Sequence, residues 1–333
     1  MHVLFLGPKF GNSYLEYKAL KRICKKVDII DTNLIFKNTL SLKIFYHVAP
    51  ELFIWKIRNF ILSKIDTKYD LIYVRSGEFL DKNLVLQLKK KTEKIVFYCG
   101  DNPFVKRDKF RWRLFLGAAK LYDLLIFHQK SRIKMSKDLG LKKTMLVTPP
   151  YDKNIHIKKN NNKLKKNIVF IGTWFPERGI FFKKLSDFGL KFKIYGIKWN
   201  KDPNFENLKS KIKLGHVHFK NYAKIISKAK IAISLFSEQN KDDITRRPIE
   251  IAAIGTAIIS KNTKSMKEVF KENKEAIYFN NANECFKKCL YLLKNTKLLN
   301  RISNNANNRV KKLKISNDDL IKKIIRRVQN GKN

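Results

Sequence analysis

The sequence predicts an α/β chain built as two doubly wound units in tandem. Its 333 residues suit two domains of roughly 150 residues each better than one. Short apolar runs alternate with longer amphipathic ones, and the apolar runs lack a clean period-two pattern, as expected of parallel strands covered on both faces. The alternation stops once, at PPYDKNIHIKKNNNKLKKN (149–167), where Pro, Asn and Lys replace the apolar rhythm, and then resumes. The expected boundaries are 1–150 for a first unit, 151–166 for a linker, 167–312 for a second unit, and 313–333 for a terminal helix that could pack back on the first.

In the first unit the expected strands are HVLFLG (2–7), VDIID (27–31), YDLIYVRSG (69–77), KIVFYCGD (94–101), DLLIFHQ (123–129) and KTMLVTPP (143–150). Between them SYLEYKALKRICKK, a long helical region after residue 31, NLVLQLKKK and RWRLFLGAAK read as helices. The second unit repeats the scheme with NIVFIG (167–172), FKIYG (192–196), KIKLGHV (211–217), IAISLF (231–236), AIIS (257–260) and AIYFN (276–280). Its intervening helices include GIFFKKLSDFGL, YAKIISKAK and RPIEIAAIG, and the tail from NECFKKCLYLLKN onward is helical.

An apolar content of 44%, with 12% aromatics, is enough for a core in each unit and excludes a disordered chain. The charge is lopsided: 72 basic against 28 acidic residues, a net +44. Such a field attracts nucleic acid, an anionic membrane or a polyanionic saccharide. The basic residues are nevertheless spread along the whole chain, beside abundant Asn and Ile, as a compositional bias would leave them, so charge alone names no partner. Cys24, Cys99, Cys285 and Cys289 form no C-x-x-C pair. This fits a reducing compartment, and Cys285 and Cys289 share one face of a helix. The N-terminus enters a strand at once without a signal-peptide pattern, and no run approaches the ~18 apolar residues of a membrane span. A cytoplasmic protein is expected, peripheral on the inner face of the membrane at most.

Ligands of open parallel sheets bind beyond the carboxyl ends of the strands, so the loops there are the places to look. The turn GPKFGNS places Gly7 and Gly11 where backbone can approach an anion or a sugar; the alternative is a plain strand-to-helix turn. In YCGDNPF, Asp101 ends a strand and is a candidate general base or acceptor of a sugar hydroxyl, or else a turn-forming residue. In GTWFPERG, Gly172 and Gly179 bracket Thr173, Trp174 and Arg178 before a helix start. An arginine and free N–H groups there suit a pyrophosphate. SEQNKDDITRRPIEIAAIGTAIIS is the most specific: Thr245 or Asp243 can cap a helix whose first turn holds Pro248, and Glu250 follows one turn in beside Arg246 and Arg247. There a carboxylate can accept both ribose hydroxyls while arginine meets a diphosphate; the alternative is an ordinary solvated helix start. His216 and His218 alternate on an expected strand without a third ligand, so no metal site is expected. His128 follows a strand and reads as structural or as a substrate contact.

The order of these segments resembles the GT-B glycosyltransferases, in particular the bacterial branch of spore-maturation glycosyltransferase-like proteins. IVFIGTWFPERGIFFKKL with FKIYGIKW is similar to that branch's strand, W-x-P-E-R-G loop and next strand ending in Tyr195 and Gly196. TRRPIEIAAIGTAIIS is similar to its R-x-x-E-x-x-A-x-G segment, and KEAIYFNNANECFKKCLYLL to its closing strand and helix. The resemblance spans roughly residues 167–295 and is looser in the first half. It implies two Rossmann-like domains facing a central cleft, with a UDP- or other NDP-sugar as co-substrate on the second and a saccharide, lipid-linked or protein acceptor on the first. No obligatory metal or cofactor is implied, and transfer is expected to retain anomeric configuration. Carried over by position, Glu250 binds ribose, and Arg178 and Arg247 bind the diphosphate and stabilise it as it leaves. Gly11, Gly172, Thr173, Trp174, Tyr195, Asp242 and Arg246 complete the donor site, and Asp101 is the acidic candidate on the acceptor side. Retaining members often carry a second acidic residue eight positions before the ribose carboxylate; here that position is Asp242 rather than Glu. Cell-surface polysaccharide synthesis is the implied setting, and LKKKTEK (88–94) and KFRWRLF (109–115) could meet an anionic leaflet. Two rival classes are a non-enzymatic polyanion binder, against which speaks the lack of any nucleic-acid motif, and a nucleotide-sugar epimerase on the same fold.

Overall fold

The computed structural model describes residues 1–158 and 167–330. The part of the expected linker from 159 to 166, and the last three residues of the expected terminal helix, lie outside the described residues. The chain divides into two compact units. The first comprises Met1–Thr148, Glu238–Asp242 and the C-terminal segment from Asn317; the second comprises Pro149–Ser237 and Asp243–Ser316.

The first unit is a six-stranded sheet of β1 (His2–Gly7), β2 (Lys26–Asp31), β3 (Tyr69–Val74), β4 (Thr92–Tyr98), β5 (Leu124–Phe127) and β6 (Thr144–Leu146), in the order β2-β1-β3-β4-β5-β6. Every neighbouring pair is parallel. Side chains of successive strand residues leave on opposite faces. Leu4 and Leu6 accordingly enter one core, and Val3 and Phe5 the other. Because both faces are covered, the strand reads as a continuous apolar run rather than an alternating one.

The long helical region after β2 is not one helix. It divides into Thr39–His47 and Ile54–Leu62, separated by a turn beginning at Pro50. Proline has no N–H to give and its ring clashes with the preceding turn, so one helix cannot run through it. Strand β6 is shorter than the expected 143–150: its partner β5 ends at Phe127, whose carbonyl takes the last ladder bond from Val147 N–H at 2.9 Å, and Pro149 and Pro150 could add none.

The second face of this sheet is closed by helix Gly11–Ile23 and by the C-terminal helix Asn317–Asn330. Leu320, Ile321, Ile324 and Val328 recur at helical spacing and are buried against Val3, Phe5, Tyr73 and Leu124. Asp318 sits in the first turn of the C-terminal helix, where a carboxylate suits the dipole, and binds Arg22 through two parallel contacts of 2.6 and 3.0 Å.

The second unit contains β7 (Ile168–Ile171), β8 (Phe192–Gly196), β9 (Ile212–Leu214), β10 (Ile231–Ser234), β11 (Ala257–Lys261) and β12 (Ile277–Phe279), in the order β12-β11-β10-β7-β8-β9 and again wholly parallel. One face packs on Pro176–Asp187 and Ala282–Lys294, where Cys285 and Cys289 are fully buried. The other packs on Phe219–Ser227 and Arg246–Ile254. Strand β9 stops at Leu214 because Gly215 turns the backbone to φ 128°. His216 and His218 are therefore not on a strand, as expected, but in the loop beyond it, with their rings stacked 5.5 Å apart. Among the described residues no helix is long and apolar enough to cross a membrane.

The C-terminal helix supplies much of one core of the first unit, so shaving it should destabilise that unit. Ile324→Ala is expected to cost about 2–5 kcal/mol, read as a lower midpoint in urea unfolding followed by circular dichroism.

Candidate functional site

The strand order of the second sheet reverses between β7 and β10. From β7 the chain moves outward through β8 and β9, then returns to β10 on the other side of β7 and moves away through β11 and β12. Loops leaving two such neighbours diverge and open a crevice at the carboxyl edge of the sheet. Residues 172–178 follow β7 and residues 235–245 follow β10, so the two strongest sequence candidates flank this one point.

The loop after β7 is held on all sides. Gly172 N–H donates to the Tyr195 carbonyl at 2.9 Å, and the Trp199 indole donates to the Gly172 carbonyl at 2.9 Å. Trp174 donates from its backbone to Ile197 O at 3.0 Å and from its indole to Asp202 Oδ2 at 2.7 Å. Pro176 then opens helix Pro176–Asp187 at a position where a missing N–H costs nothing. Arg178, mostly buried, turns back so that Nη1 donates to Thr173 O at 2.7 Å and its guanidinium lies over Phe175 at 4.7 Å. Gly179 is required by close approach: a Cβ there would lie 1.8 Å from Asp202 Oδ2, the oxygen that holds Trp174.

After β10 the helix Arg246–Ile254 begins behind Thr245, whose backbone is extended but whose hydroxyl makes no capping bond. Pro248 is the third helical residue, and Gly255, at φ 79°, ends the helix in the left-handed region. The first-turn N–H groups point out of the helix end, toward which an anion is drawn. Arg246 is tied down by Nη1 to Pro150 O at 3.2 Å.

Glu250 is 2% exposed, yet it remains a carboxylate among cations. Arg247 Nη1 lies 3.3 Å from Oε2, and His156 Nε2 lies 4.0 Å from Oε1. Asp152 N–H donates to His156 Nδ1 at 3.0 Å, so Nδ1 accepts and the ring proton belongs on Nε2, on the side of Glu250. The Arg247 guanidinium lies over the Tyr222 ring at 4.3 Å, and that ring meets His156 edge to face. Burial alone would raise the Glu250 carboxyl, but His156, Arg247 and Arg246 outweigh it and hold the group below its ordinary range. Burial pushes His156 below the usual imidazole value, against the pull of Glu250 and Asp152.

The structure thus gathers Gly172, Thr173, Trp174, Arg178 and Tyr195 about one loop and Arg246, Arg247 and Glu250 about the next. Gly11, Asp101 and Asp242 belong to the first unit. Gly11 opens helix Gly11–Ile23 with φ 58°. Asp101 lies between two arginines, 3.2 Å from Arg111 Nη1 and 3.5 Å from Arg107 Nη2, and Arg111 continues to the buried Glu78 at 2.7 Å. Asp242 Oδ1 receives three donors at 2.7 Å, from Gln129, the fully buried Arg132 and Asn240. His128 is buried beside Arg132 at 3.4 Å.

His156, Tyr222 and Arg132 escaped the sequence reading. His156 lies in the Lys- and Asn-rich stretch read as linker, and Tyr222 reads as an ordinary core position of an amphipathic helix. Both meet Glu250 only through tertiary packing.

Burial of His156 and Glu250 links the second unit's stability to pH. Both folded-state values are depressed, so both groups contribute stability above their unfolded values and lose it as pH falls through the folded ones. Melting temperature should decline on acidification, first below about 6.5 as His156 is forced to charge and again below the ordinary glutamate range. The His156→Gln variant should lose the first part of this decline, as read by thermal unfolding between pH 7.5 and 5.

The family model for glycosyl transferase-like proteins matches residues 178–325. No match to a curated protein was found by sequence. Among solved structures, sucrose-phosphate synthase from Thermosynechococcus elongatus is similar at TM-score 0.72 and 13% identity, over 99% of this chain and 100% of that one. HepE of Anabaena, solved in complex with UDP-glucose, is similar at TM-score 0.70 and 10% identity, over 99% and 100%. A glycosyltransferase from Rickettsia africae ESF-5 is similar at TM-score 0.64 and 14% identity, over 99% and 98%. The chain has the fold of the GT-B glycosyltransferases, and residues 178–325 match the model of the glycosyl transferase-like family.

Proposed function

We propose that this protein transfers a sugar from a nucleoside-diphosphate sugar to a glycan or lipid-linked acceptor, with retention of anomeric configuration. The observation that carries the proposal is Glu250, a buried carboxylate kept ionised one turn inside a helix start at the switch point of the second sheet. An ionised carboxylate accepts hydrogen bonds on both oxygens and donates none, which suits the two hydroxyls of a ribose. Arg247 and the outward N–H groups of the same first turn supply positive charge for a diphosphate. Arg178, shaped by Thr173 and Phe175, contributes the same from the loop after β7. The UDP-glucose bound by the similarly folded HepE supports a uridine nucleotide as the first donor to try.

In this reading negative charge grows on the departing diphosphate as the glycosidic bond breaks. Donors already fixed in place stabilise that charge without reorganising, and one such donor is worth on the order of 10²–10³ in rate. Asp242 is assigned to the transferred sugar: three donors converge on Oδ1 and fix the carboxylate in one orientation. Gly172, Trp174 and Tyr195 shape the donor loop. Gly11 is assigned to the donor and Asp101 to the acceptor; Asp101 would receive an acceptor hydroxyl after exchange with Arg107 or Arg111.

Calorimetry with UDP and with a panel of NDP-sugars tests the assignment. Glu250→Ala should weaken nucleotide binding by about 1.5–3 kcal/mol, the worth of hydrogen bonds to a charged group. Arg247→Ala should weaken it as well and lower kcat by roughly 10²–10³. Unchanged affinity in both variants would overturn the site, and sugar conversion without any acceptor would replace transfer by epimerisation.

A further inference from the structure

The first unit carries an apolar surface that no described residue covers, between β2 and β3. Leu34, Leu40, Val48, Leu52 and Trp55 are all exposed, Leu52 at 74% and Trp55 at 76%. They are not scattered along a loop. Helix Thr39–His47 is followed directly by the turn Pro50–Phe53 and helix Ile54–Leu62, and the inward sides of all three are anchored by Phe45, Phe53, Ile57 and Ile61 in one core. The outward residues are therefore held out by a rigid base. Phe110, also exposed, joins the same surface through its N–H to Tyr46 O at 3.2 Å, and Arg113 joins it through Glu51 at 3.0 Å.

The charge on this surface is chiefly positive. Lys37, Lys43 and Lys56 lie among the apolar residues and Lys109 and Arg113 beside Phe110, while the only acid between 34 and 56 is Glu51, already matched by Arg113. Protein interfaces tend to exclude lysine from apolar centres. A tryptophan and leucines standing out among lysines are instead what an anionic bilayer attracts: the chains enter the acyl boundary and the ammonium groups stay at the headgroups. We infer that this face, Leu40 to Trp55 with Phe110, docks the protein on an anionic membrane. The other basic run, LKKKTEK, contributes little to it: Leu88 is fully buried and Lys89 is engaged by Asp123 at 3.2 Å.

Co-sedimentation of the full chain with vesicles of phosphatidylglycerol and phosphatidylcholine, against phosphatidylcholine alone, tests the inference. Binding should require the anionic lipid and fall as salt rises. Trp55 emission should shift to the blue on binding, a shift absent in Trp55→Phe. The Leu52→Ser/Trp55→Ser variant should lose at least tenfold in partitioning, and Lys43→Glu/Lys56→Glu roughly thirtyfold or more. Circular dichroism and UDP binding should stay unchanged in both. Equal recovery with neutral vesicles overturns the inference. So does wild-type partitioning by the serine variant, which would leave only the diffuse charge of the chain. A concentration-dependent dimer in light scattering that the serine variant abolishes also overturns it, because the face would then belong to a second copy.

Discussion

A carboxylate taken almost completely out of water stays ionised only if cations face it, and the second unit is arranged around that requirement at Glu250. Desolvation pushes the group toward neutrality, while Arg247, Arg246 and His156 pull the other way and prevail. Of these the arginines are permanently charged, so the balance at neutral pH rests on them. His156 contributes geometry: it is fixed by the Asp152 backbone and presents its N–H side to the carboxylate. Remove Arg247, the arginine in contact with Oε2, and the buried carboxylate loses its nearest permanent cation, which is costlier than never having placed the charge there.

The surrounding fold keeps this cluster from relaxing. Helix Arg246–Ile254 is buried from Pro248 to its end, with Ala252 and Ala253 small enough to let it lie close to its neighbours. Asn307 Nδ2 donates to its last carbonyls, at 3.0 Å from Ala252 O, which also accepts from Gly255 N–H at 3.0 Å, and 2.7 Å from Ala253 O. Thr256 then bonds Ile226 O at 2.7 Å and fixes the exit. A helix restrained at its end and packed along its length holds its first turn in one place. Preorganised charge acts on a ligand only when its position is set before the ligand arrives.

How much of this was legible depends on the range of the interaction. Strand runs such as HVLFLG and FKIYG appear with their expected bounds because a strand buried on both faces is apolar throughout, a local property. Proline, also local, explains where the long helical region breaks. Glu250 and Arg247 were readable because a helix start, an arginine pair and a carboxylate lie within six residues of sequence. The partners of Glu250 were not: His156 arrives from a stretch with the composition of a linker, and Tyr222 from a helix whose pattern signals only burial. Asp242 was legible as an acidic residue eight positions before Glu250, but its three donors on Oδ1 come from residues 129, 132 and 240, and no local pattern announces Arg132 as a fully buried cation.

The large positive charge resolves into two populations with different physics. Buried carboxylates are met chiefly by arginine: Arg22 with Asp318, Arg58 with Asp81, Arg75 with Glu16, Arg111 with Glu78, Arg132 with Asp242 and Arg247 with Glu250. A planar guanidinium can bind a carboxylate through two N–H groups and is less strongly hydrated than an ammonium, so it tolerates such places better. Lysine is used mostly on the surface, as in Lys209 with the exposed Glu206, where an ion pair in water contributes little. Most of the +44 is therefore a solvated coat that specifies nothing by itself. It acquires meaning where lysines surround something else that water does not favour, and the uncovered leucines and tryptophan of the first unit are such a place.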